Sequence, residues 1–104
     1  MTYFMYDVHG NAVDEPDADT VRRLVQEGLA ATDTDNPDVS LTHESGWSLS
    51  AFAGGLLLWE NVEDETAAAG SLDKVAEEEV LRLFALLSGG EVEKVAELDW
   101  QRAA

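Results

Sequence analysis

Alternation dominates the middle of this chain. From Val39 to His43, Val39, Leu41 and His43 fall on one side of an extended segment, and Ser40 and Thr42 fall on the other. After the short turn Glu44-Ser45-Gly46, the pattern resumes with Trp47, Leu49 and Ala51 opposed to Ser48 and Ser50. Gly54 and Gly55 supply the positive φ angles a tight hairpin demands. Leu56 to Asn61 then runs apolar on both faces, as an internal strand would. Three strands joined by two short turns form an antiparallel meander.

The flanks read differently. Thr2 to Val8 is aromatic and β-prone and predicts a first strand, ended by the turn His9-Gly10-Asn11. Pro16 with Asp17 and Asp19, both good helix-capping types, introduces Val21 to Ala30, where Val21, Leu24, Val25 and Leu29 recur at helical spacing. Gly28 weakens the last turn of that helix. The segment Thr66 to Ser71, small and featureless, reads as a mobile connection. A second helix follows over Asp73 to Ser88, with Val80, Leu83, Phe84 and Leu87 on one stripe and Glu77, Glu78 and Glu79 at the positive end of its dipole. Gly89 and Gly90 stop it, and a short third helix over Glu91 to Leu98 ends near Trp100. The order β-α-β-β-β-α-α predicts one α+β domain over residues 1–104. Its core is an antiparallel twisted sheet of about four strands with helices packed mainly on one face. The pattern leaves open whether the first strand lies at an edge or between others.

Charge narrows the function. Twenty-two acids against six bases give a net charge of −16. Between Arg23 and Lys74 stand fifty residues without a cation, ten of them Asp or Glu. Such a surface repels nucleic acid and anionic membranes and attracts basic proteins at long range. Solubility or a salt-rich cytoplasm is the plainer reading of the acids, although halophilic adaptation would spread them evenly, and here the bases are segregated into the flanking helices. The absence of cysteine excludes disulfides and thiolate chemistry. With no basic leader at the N-terminus and no apolar run long enough to span a bilayer, the expectation is a cytoplasmic chain.

Catalytic and metal motifs are not formed. Asp33, Asp35 and Glu44 fall at the first, third and twelfth positions of a calcium loop, but Pro37 takes a ligand position and Asp38 the place where glycine is needed. His9 and His43 have no partner at zinc spacing. Neither a nucleophile elbow nor a phosphate cradle is present. The sequence therefore nominates no catalytic residue, no metal ligand and no cofactor.

The remaining candidates are aromatic and acidic. Trp47, Trp59 and Trp100 each fit core packing, but Trp is also enriched in interface hot spots. Glu60, Glu63, Asp64 and Glu65 closely follow Trp59, and Glu44 lies in the neighbouring turn. Glu44, Trp47, Trp59, Glu60, Glu63, Asp64 and Glu65 thus form the expected contact set for a basic protein partner, with charge steering the encounter and aromatic burial slowing dissociation.

The run Val39 to Phe52, the following apolar strand, acidic loop and helix, and the closing Leu98-Asp99-Trp100 resemble small immunity proteins of bacterial polymorphic toxin systems. The likeness is greatest to the family whose members neutralise nuclease and deaminase toxins. The resemblance implies an acidic, non-enzymatic inhibitor that plugs the cationic site of a nucleic-acid-targeting toxin. Two alternatives stay open: a module that self-associates through its sheet edge as a homo-oligomer, and a small-molecule or metal-binding domain.

Overall fold

The computed structural model describes residues 3–30, 38–64 and 69–102. The elements run β1 (Tyr3–Tyr6), β2 (Ala12–Asp14), α1 (Ala18–Ala30), β3 (Asp38–His43), β4 (Trp47–Phe52), β5 (Leu56–Asn61), β6 (Gly70–Leu72), α2 (Glu77–Ser88), α3 (Val92–Ala96) and β7 (Gln101–Arg102). One open antiparallel sheet has the order β2-β1-β3-β4-β5-β6-β7. The α+β class and the central meander are as the pattern predicts. The count of about four strands is corrected upward: six strands have three or more residues, and β7 adds a pair. The strand at Tyr3–Tyr6 is internal, between β2 and β3.

Three short strands escape the pattern for one reason. Ala12–Asp14, Gly70–Leu72 and Gln101–Arg102 are too brief to show period-two alternation, and each exists because a longer neighbour templates it. The β1–β2 turn is built by Asp7, whose Oδ1 accepts the backbone N–H groups of His9 and Asn11, both at 2.9 Å. Part of the expected connection Thr66 to Ser71 is β6, and residues 65–68 lie outside the described residues.

The helices also differ at their starts. Asp17 is the residue that caps α1, its Oδ1 accepting the N–H of Thr20 at 2.8 Å. The expected helix from Asp73 begins only at Glu77, because Lys74 has φ 54° and the N–H of Val75 donates to the carbonyl of Gly55 at 2.9 Å. No side chain caps α2; three glutamates in its first turn face the positive dipole end instead.

Strand register sorts the side chains onto two faces. Met5, Leu41, Leu49 and Trp59 form one cross-strand row, and Val39, Ala51 and Leu57 a second. Against these rows pack Val21, Leu24 and Val25 of α1 and Val80, Leu83, Phe84 and Leu87 of α2, making one buried core. Burial of each such aliphatic side chain stabilises the fold by roughly 1.5–3 kcal/mol. The opposite face carries Phe4, Thr42, Ser48 and Glu60 in one row and Tyr6, Ser40, Ser50 and Leu58 in the next. No helix among the described residues packs there. Tyr3 belongs to the core face, and its hydroxyl donates to the Pro16 carbonyl, tying β1 to the approach of α1. Burial first, then Glu15 and Asp17, raises the pKa of that phenol.

Gly28 has a role that helix propensity does not reveal. A Cβ at this position would lie 2.6 Å from Cγ1 of the buried Val39, so glycine lets α1 sit close to β3. Gly28→Ala gains about 1 kcal/mol of helix propensity against an overpacking cost of about 1–3 kcal/mol. The expected outcome is a lower melting temperature, recovered in part by adding Val39→Ala; a higher melting temperature for Gly28→Ala alone would contradict the close approach.

Asp7 supplies a pH test. The backbone N–H of Asn11, ahead of that of His9, holds its carboxyl below the ordinary value of 3.8. A lowered folded value means the stabilisation is complete above the unfolded value and disappears as pH falls through the folded one. Protonation also relieves repulsion across a chain of net charge −16. The difference between wild type and Asp7→Asn is therefore the informative quantity. In thermal melts that difference should be largest above pH 3.8 and shrink below it; a constant difference would remove the carboxylate from the account.

Candidate functional site at the acidic end of the sheet

The β3–β4 turn and the segment after β5 meet at one end of the sheet. The turn closes with the Gly46 N–H donating to the His43 carbonyl at 2.9 Å. Within it, Nδ1 of the buried His43 lies 2.9 Å from the Ser45 hydroxyl and 3.1 Å from the Ser45 amide. The amide contact makes Nδ1 an acceptor, so His43 acts structurally in the turn. The chain leaving β5 then folds against this turn, with the Val62 N–H donating to the Gly46 carbonyl at 2.8 Å.

Asn61 is the bracket between the two segments. Its Oδ1 accepts the amides of Glu63 at 2.9 Å and Asp64 at 3.0 Å, while its Nδ2 donates to the Ser45 carbonyl at 3.4 Å. A Cβ on Gly46 would lie 2.5 Å from Asn61 Oδ1 and 3.0 Å from a Glu63 carboxylate oxygen, which measures how tightly the two segments are stacked. Glu44, Glu60, Glu63 and Asp64 are thus gathered at one sheet end, all exposed. Glu65 lies outside the described residues. Val62 stands among them, 57% exposed.

The tryptophans are sorted by the sheet. Trp59 is 2% exposed and lies on the helix-covered face, whereas Glu60, the next residue, points to the other. Trp47 stacks on Trp59 with ring centroids 4.8 Å apart and planes 5° from parallel; Trp59 stacks on Trp100 at 5.9 Å and 12°. Nε1 of Trp100 donates to the Val95 carbonyl at 2.9 Å. Trp59 and Trp100 are core. Trp47, the outer ring, is half-buried and borders Asn61 across the β4–β5 pairing. Of the expected contact set, Glu44, Trp47, Glu60, Glu63 and Asp64 present surface at this end, and Trp59 supports it from beneath.

Asn61 and Val62 carry weight that the sequence reading did not assign. The signal was available: an Asn at the end of a strand favours side-chain bonds to the next backbone amides, and a lone apolar residue in an acidic run invites a question. The ion pairs among the described residues, Arg23–Glu27, Arg82–Glu79 and Lys94–Glu91, all lie on or beside helices. Glu79 is held below its ordinary value chiefly by its bond to Arg82. None of these cations is drawn to Glu44, Glu60 or Glu63.

No group of three His, Asp or Glu side chains that could hold a metal occurs among the described residues. Asp33 and Asp35 of the rejected calcium pattern are outside them, and its second half is strand β3. A groove of about 190 Å³ beside β5 and β6 is lined by Leu58, Glu60, Gly70, Ser71 and Gln101 among others, and a hollow of about 330 Å³ borders α3 at Gly90 to Lys94. No helix among the described residues is long and apolar enough to cross a membrane. Comparison with protein-family models, curated proteins and solved structures gives no match.

Two substitutions separate support from surface. Trp59→Ala should cost roughly 3–5 kcal/mol in denaturant unfolding, as large-to-small changes of buried aromatics do. Asn61→Ala loses half-exposed hydrogen bonds worth about 0.5–1.5 kcal/mol each, so its stability loss should be smaller, while amide exchange at Glu63 and Asp64 accelerates. Unchanged exchange at those two amides would contradict the bracket.

Proposed function

We propose that this protein is a non-enzymatic binding module that engages a basic protein partner through the acidic end of its sheet. The carrying observation is that Glu44, Glu60, Glu63 and Asp64 lie exposed at the sheet end that also holds the half-buried Trp47 and the exposed Val62, on a backbone held by Asn61. Carboxylates at such an end attract a cationic surface over several ångströms and speed the encounter. The aromatic and apolar side chains, once covered, slow dissociation. A fixed backbone limits the ordering entropy lost on binding.

The chemistry suits inhibition of an enzyme that acts on nucleic acid. Such an enzyme needs a cationic groove for phosphates, and a carboxylate-rich surface competes for it. Together with the sequence resemblance, this makes an immunity protein against a nuclease or deaminase toxin the reading supported best. A cytoplasmic place of action accompanies it.

The test uses the protein as bait in lysate of its source organism at low and high salt. The expected capture is a basic protein, retained at low salt, weakened at high salt, and lost with the triple variant Glu44→Lys, Glu60→Lys, Glu63→Lys. These residues are exposed, so the variant should melt near the wild-type temperature. Capture insensitive both to salt and to the triple reversal would overturn the acidic end as the contact surface.

A further inference from the structure

The face of the sheet opposite the helices has a shape of its own. Ser48 and Ser50 point away from the helices, yet they are only 4% and 8% exposed. Small hydroxyl side chains on β3 and β4 form a floor, bound to one another where Thr42 donates to Ser48 Oγ at 3.1 Å. Larger side chains rise on both sides. Phe4 and Tyr6 of β1 meet edge to face with centroids 5.4 Å apart, and Leu58 and Glu60 of β5 stand opposite. Three strand spacings put the walls roughly 14 Å apart at the backbone. The result is a trough with an aromatic wall, a wall of one leucine and one glutamate, and a floor of hydrogen-bonding hydroxyls.

Charge decides what can lie in it. Asp14, Asp38 and Glu60 occupy register positions on this face, and β1 to β6 contain no Lys or Arg. A second copy docking face to face would set carboxylates against carboxylates with no cation to offset them. A cationic side chain has the opposite prospect. An arginine can lay its stem along Leu58, offer N–H groups to Glu60, and place its guanidinium against an aromatic ring.

We propose that this trough is a docking surface for an arginine-bearing segment of the basic protein partner, continuous with the acidic end through Glu60. The inference rests on the basic-partner reading and specifies where on the sheet an extended part of that partner lies.

The experiment is an NMR titration of the amide-labelled full chain with a short synthetic peptide alternating Arg and Leu, beside a counterpart with Glu for Arg. The expected result is shifts concentrated at Ser40, Ser48, Ser50 and Leu58 with the Arg peptide alone. Tyr6 is 44% exposed, so Tyr6→Ala should keep the fold; it should weaken binding about tenfold, in the range of one lost cation–π contact. Glu78→Lys on the helical side is the control for diffuse attraction and should weaken it far less. Equal effects of Tyr6→Ala and Glu78→Lys overturn the trough. Shifts confined to Gly46, Glu63 and Asp64 also overturn it but leave the acidic-end reading standing. No binding of the Arg peptide counts against both. A concentration-dependent dimer that Tyr6→Ala makes monomeric assigns the face to self-association instead.

Discussion

Three indole rings stacked in sequence hold the acidic end of this protein to its core. Trp47 and Trp59 come from adjacent strands, and Trp100 arrives from the far end of the chain. Each such aromatic pair adds about 0.5–1.5 kcal/mol beyond its burial. The larger consequence is topological. Seating Trp100 on Trp59 draws the segment after α3 across to the sheet, where Gln101 and Arg102 pair with β6. Gly70 permits it, since a Cβ there would come within 2.5 Å of the Trp100 Cβ. The stack thereby brings β7 alongside β6.

The same sheet converts neighbours in sequence into opposites in space. Trp59 and Glu60 are adjacent, and a strand sends successive side chains to opposite faces. The aromatic residue turns toward the helices, while the carboxylate turns toward solvent above a floor of serines and a threonine. The apolar support of the acidic end and its charged surface are therefore separate layers. Asn61 then turns the chain so that Glu63 and Asp64 join Glu44. A surface made this way has the backbone that bears Glu63 and Asp64 held in place.

Much of this was legible in the chain. Alternation from Val39 to Phe52 located two strands and their faces, and the stripe Val80, Leu83, Phe84, Leu87 located the buried side of α2. What escaped was whatever depends on distant contacts. Three-residue strands carry no period, and Gly28 looked like a weak helix residue because the approach of Val39 is invisible locally. The candidate site was readable by composition, as acids beside aromatics. Its geometry was not, because the division between Trp59 below and Glu60 above depends on which face the helices cover. For Asn61 the local bonds to Glu63 and Asp64 were legible, but the bridge to the Ser45 carbonyl, sixteen residues away, was not.

The central claim is that placed carboxylates steer a basic partner onto this end of the sheet. It is tested most directly by the association rate constant with the captured partner as a function of ionic strength. The account predicts a rate that falls steeply as salt rises toward about 0.15 M, where the screening length is near 8 Å, with little change in dissociation. An association rate independent of salt would contradict it.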